Sequence, residues 1–188
     1  IGPALVTVAM LLLARPGIGG SYWTTFFPAA VVFGVGMAIT VPPLTTAVMG
    51  AVSRHQVGIA SGINNAVART ASLVAVAVFG VIVSSVFGQS LAAQLDAMPD
   101  LQPEIRAEVE AHQAELAAAQ PPENADAETA DAIGRAIDQA FVDGFRIAMF
   151  VAAATTLAGA VIAWLMVEGK PPDHANAGTD DVTKTKTP

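Results

Sequence analysis

The stretch Gly58-Ile59-Ala60-Ser61-Gly62-Ile63-Asn64-Asn65-Ala66-Val67-Ala68-Arg69 leads without a break into eighteen uncharged, mostly apolar residues, 70–87. At 1.5 Å per residue that run is about 27 Å long, close to the roughly 30 Å of a hydrocarbon core, so it predicts a transmembrane helix. Its preface is polar, glycine-spaced and closed by an arginine. Gly58, Gly62 and Ala66 recur every fourth residue as a ridge of small side chains, and Ser61, Asn65 and Arg69 form a second ridge beside it. Small residues let helix backbones approach closely, and Asn or Ser can hydrogen-bond across the contact. The stretch therefore reads as a helix-packing face joined to an interfacial anchor. The sharper reading is a gate at the mouth of a membrane pathway, since polar groups in membrane helices are often functional.

Charge is segregated along the rest of the chain. Segments 1–14, 23–52, 70–87 and 147–167 carry no Asp, Glu, Lys or Arg, although 13% of the residues are charged. A soluble helical domain would show polar residues at helical period inside each apolar run. These runs are apolar nearly all round, so the expected fold class is all-α: a polytopic membrane helical bundle of about four spans. The expected elements are a span remnant at 1–14, a span at 22–52, a span at 57–88 and a last span at 141–167. The chain starts at Ile1 with no basic region ahead of its first apolar run, which reads as the end of a span within a longer polypeptide. Arg15-Pro16-Gly17 breaks the first element, and Tyr22 and Trp23 stand where the chain re-enters the bilayer. Pro42-Pro43 predicts a bend in the second span, with Thr40, Thr45 and Thr46 available to satisfy the freed backbone groups.

Segment 89–140 holds eleven Asp or Glu and two Arg, a charge of −9 against −7 for the whole chain, so the remainder is slightly basic. It reads as an acidic extracytoplasmic loop with helical pieces at 103–119 and 125–140, where Ile133, Ile137 and Phe141 recur at helical spacing. A polar tail at 168–188 reads as disordered. Basic residues set orientation: Arg54, Arg69 and the tail lysines outnumber Arg15, which places the C-terminus in the cytoplasm of a cell-membrane protein.

Several functions lack their signatures. A basic groove for nucleic acid is absent. No cysteine is present, and His55, His112 and His174 have no ligand spacing around them, so neither a metal site nor a cofactor is expected. No nucleophile elbow or phosphate loop appears, which argues against an enzyme. Asp143 and Arg146, three apart at the outer mouth of the last span, could pair, with a solvated surface pair as the simpler reading.

Pro42-Pro43, the short loop containing Arg54, and then Gly58-x-Ala60-Ser61-Gly62-x-x-Asn65-x-x-x-Arg69 resemble the C-terminal region of the fourteen-span drug:proton antiporters, the EmrB/QacA-type members of the major facilitator superfamily. The resemblance covers about residues 1–167. It implies multidrug efflux by alternating access, a small-molecule substrate, a proton as coupling ion, N-terminal helices of the same polypeptide as packing partners, and a cytoplasmic C-terminus. Ala71 and Ala75 stand where that family often has glycines. No Asp or Glu falls within the apolar spans, so the coupling carboxylates would lie outside this segment. The rival expectation is a standalone four-span scaffold that binds a partner or cation through its acidic segment.

Overall fold

The computed structural model describes residues 1–122 and 124–166. They fold as an all-helical bundle with three helices long and apolar enough to cross a membrane. Helix α1 spans Gly2–Leu13, α2 Tyr22–Gly50, α3 Val57–Asp96, α4 Pro103–Ala111 and α5 Ala127–Met166; short 3-10 turns occupy Arg54–Gln56 and Gln113–Ala118. The polar tail expected at 168–188 lies outside the described residues.

Local chemistry explains the element ends. Pro3 and Pro103 each sit in the first turn of a helix, where the missing N–H has no intrahelical partner to lose. Gln102, forced out of the helical region by the following proline, is extended at φ −62° and ψ 137°. Asp126 caps α5: its Oδ1 accepts the backbone N–H groups of Glu128 and Thr129, and its Oδ2 accepts the Thr129 hydroxyl. The bonds from Thr129, backbone first, hold the Asp126 carboxyl below the usual carboxylate range.

Helix α2 runs unbroken through Pro28, Pro42 and Pro43. The threonines do not serve the groups these prolines free. Thr40, Thr45 and Thr46 donate to the carbonyls of Gly36, Val41 and Pro42, whereas Pro42 and Pro43 leave the carbonyls of Ala38 and Ile39 without their usual partners. The reason is geometric: a helical threonine reaches back to its own i−4 carbonyl, and no threonine stands four residues after Ala38 or Ile39.

In space α1 lies between α2 and α5, and α5 lies between α1 and α3; α2 meets α3 chiefly where their short connection joins them. Glycines mark the close approaches. A Cβ on Gly36 would stand 2.9 Å from the Val6 backbone nitrogen, and one on Gly144 would stand 3.0 Å from the Val83 carbonyl oxygen. These two positions bring α2 onto α1 and α5 onto α3.

The largest fully buried side chains belong to the acidic segment and its borders. Phe87, Leu91 and Leu95 on α3, Ile105 and Val109 on α4, and Ile133 and Ile137 on α5 close one apolar cluster. Their spacing of four gives each helix a single buried stripe. The segment 89–140 is thus a compact helical head. Its two sides are the unbroken continuation of α3 to Asp96 and the first turns of α5 from Ala127. Arg106 on α4 pairs with Asp96 at 2.6 Å and with Glu110 at 2.8 Å, an exposed link that adds orientation more than stability. Away from the head α3 parts from the other helices: its residues 62–78 are exposed throughout.

Candidate functional site

Helix α3 begins at Val57, directly after the 3-10 turn, and carries Gly58, Ser61, Gly62, Asn65 and Arg69 on its first turns. Ser61 is half-buried; Gly58, Gly62, Asn65 and Arg69 are exposed. A Cβ on Gly58 or Gly62 would meet nothing within 4 Å. At these two glycines the small-residue ridge meets no other element among the described residues. Two open, mainly apolar grooves flank it. One, about 540 Å³, separates Val48 and Val52 near the end of α2 from Ile59, Ile63 and Val67 on α3. The other, about 650 Å³, runs along Val74, Val78 and Phe79 and is bounded by Val151 and Thr155 of α5. Pro42 and Pro43 are exposed on α2 and line neither groove. Two of the expected site positions, Asn65 and Arg69, line a third open groove with Ser72.

A second polar constellation joins three helices at the foot of the head. Ser90 of α3 donates to Asp143 Oδ2 of α5 at 2.8 Å, and Gln139 donates to Asp143 Oδ1 at 3.0 Å. Gln94 donates to the Ser90 hydroxyl at 3.3 Å. Arg146 stands 3.6 Å from Asp143 Oδ1, and its Nε donates to the Ala14 carbonyl at 3.0 Å. Ala14 is the residue that closes α1, where carbonyls lack intrahelical partners and a cation is favoured. The pair anticipated between Asp143 and Arg146 forms, but loosely. The stronger bonds run sideways to Ser90 and Ala14. Both side chains are about one-third exposed, so this is a partly buried clamp and not a free surface pair.

The spacing of Gln139, Asp143 and Arg146, one turn apart on one helix, is the sequence signal for half of this clamp. Ser90 and Gln94 supply the same signal on α3. What no spacing reveals is the acceptor at Ala14, a backbone carbonyl 132 residues away. Replacing Asp143 by Leu strands the Ser90 hydroxyl and the Gln139 amide in a half-buried site. It is expected to cost about 1–3 kcal/mol, read as a lowered unfolding midpoint of the purified protein in detergent. Asp143→Asn, which still accepts from Ser90, is expected to cost less.

Among the described residues no cluster of metal-ligating side chains occurs. Asp100, Asp126 and Glu128 line a recess of the head, where both oxygens of Asp126 are engaged in capping α5. Comparisons with family models, with curated proteins and with solved structures return no match for this chain.

Proposed function

We propose that this chain is the C-terminal part of a membrane transporter that exports lipophilic or cationic small molecules in exchange for protons. The observation that carries the reading is the face of α3 from Gly58 to Arg69. It is glycine-ridged, polar and open on both flanks, on a helix tied to its neighbours chiefly at the head end. A helix that exposes small residues at the membrane boundary is prepared to receive another helix. In the resembled antiporters the helices that would cover it belong to the same polypeptide. Two helical halves rocking about a central site would then use the ridge as a sliding contact. The clamp of Ser90, Asp143 and Arg146 would be the fixed point at the head end. In this orientation the head lies outside the cell and the C-terminus in the cytoplasm. Carboxylates on the other helices would carry the coupling proton, because residues 1–95 and 144–166 contain none.

The test is ethidium efflux from cells that produce the native polypeptide carrying this chain, compared with cells that lack it. The expected result is faster loss of ethidium fluorescence that stops when a protonophore collapses the proton gradient. Equal efflux in the two strains, with the protein inserted in the membrane, would turn the assignment toward the scaffold reading. The well-packed acidic head is the feature that favours that second reading.

A further inference from the structure

We propose that Arg69, with Asn65 and Ser72, holds the phosphate of an anionic phospholipid in the leaflet opposite the helical head. The inference rests on membrane placement alone and is independent of transport.

Depth is the first argument. Gly144 of α5 stands beside Val83 and Phe87 of α3, which sets a common level on the two helices. Counting away from the head, Arg69 lies about 21 Å below Val83 and about 27 Å below Phe87 along α3, and Trp164 lies about 30 Å below Gly144 along α5. A hydrocarbon core about 30 Å thick ends there. Trp164 is 81% exposed, as an aromatic ring of the membrane interface would be. Two helices thus place an arginine and an exposed tryptophan near the same membrane boundary, with the long arginine side chain able to reach the lipid phosphates.

Chemistry is the second argument. A guanidinium requires a counter-charge, and the first acidic residue of the chain is Asp96. Arg69 is exposed and has no hydrogen-bond or ion-pair partner among the described residues. Its planar fork matches two phosphate oxygens. Asn65, one turn before it, and Ser72, one turn after it, add donors on the same side. With Ala68 and Leu73 they line an open groove of about 490 Å³. Ala68 keeps the floor shallow, and Leu73, 74% exposed, provides an apolar wall on the bilayer side for an acyl chain. A helix docked on this groove would need a carboxylate or a free carbonyl at this depth, as Ala14 offers Arg146, whereas the bilayer supplies a phosphate there.

The test uses the native polypeptide carrying this chain, reconstituted in vesicles of phosphatidylglycerol and phosphatidylcholine, extracted into detergent and weighed by native mass spectrometry. Wild type is expected to retain phosphatidylglycerol. Arg69→Ala is expected to retain about tenfold less, in line with the loss of a charge-assisted hydrogen bond. Arg69→Lys should fall between them, because an ammonium lacks the fork, and Asn65→Ala should lose less than Arg69→Ala. A benzophenone photo-cross-linker at Leu73 is expected to capture lipid. Equal retention by wild type and Arg69→Ala would overturn the proposal, as would capture of a polypeptide segment at Leu73.

Discussion

Gly62→Leu is expected to reduce ethidium export by tenfold or more while leaving insertion, helical content and thermal stability of the purified protein close to wild type. The prediction is sharp because a Cβ at Gly62 meets nothing within 4 Å. The substitution therefore makes no close contact at its Cβ inside the described residues. A loss of export with stability unchanged would point to a surface that packs on the ridge during function. Overpacking such a contact typically costs about 1–3 kcal/mol, enough for a roughly five- to 150-fold change in a conformational equilibrium. Gly58→Leu, equally open, should act in the same direction. Full export by both variants would show that no helix packs on the ridge during function. The transport reading would then lose the observation it stands on.

Gly36→Leu is expected to have the opposite profile: a large loss of stability of the bundle itself. Here an added Cβ would come within 2.9 Å of both the Val6 backbone nitrogen and a Val6 methyl, and within 3.1 Å of the Leu5 side chain. A backbone atom cannot rotate out of the way as a side-chain tip can. Helix α1 must therefore shift off α2, and the contact between Gly2 and Thr40 goes with it. The expected cost is about 1–3 kcal/mol or more, seen as a lower detergent-unfolding midpoint and faster proteolysis at 15–20, the connection between α1 and α2. Gly34, two residues away on the same helix, has open space around it. Gly34→Leu is the matched control and should be tolerated. Similar losses from both variants would mean that the close approach at Gly36 does not set the effect, since leucine is the better helix former at either position.

The two glycine results bear on what a sequence can and cannot show. The spans are legible because charge is absent from whole segments, and length alone then decides that a helix such as α3 can cross a bilayer. The start of α4 is legible from Pro103, and the buried stripe of α5 from Ile133 and Ile137. The extension of α3 past 88 is harder to see. Gln89, Ser90, Gln94 and Asp96 mask the Leu91 and Leu95 stripe, and a polar stretch after an apolar run resembles the start of a loop. The stripe pays off only once α4 and α5 are present to cover it.

Close packing is the least legible feature. Gly58 and Gly62 show the regular spacing, yet the tight approaches occur at Gly2, Gly36 and Gly144. Spacing identifies a face that could pack; it does not name the helix that arrives. Gly144 sits inside the polar group Asp143-Gly144-Phe145-Arg146, where charge draws attention and the glycine does not. The clamp is half-legible for a related reason. The side chains on α5 share a turn, but the Ala14 carbonyl becomes an acceptor only because α1 ends there. The threonines of α2 show the converse error, since their hydroxyls lie near the prolines in sequence but bond to other carbonyls.

The account depends most directly on α3 crossing a bilayer with the head in water on one side. The chain contains no cysteine, so single-cysteine variants can be labelled in intact cells or sealed vesicles without background. With a membrane-impermeant maleimide, Ala93→Cys is expected to react from the head side, and His55→Cys only from the opposite side. Val76→Cys is expected to react from neither, although Val76 is 74% exposed on the protein surface, because lipid would cover it. Reaction of Val76→Cys as fast as Ala93→Cys would place that surface in water and contradict the membrane assignment.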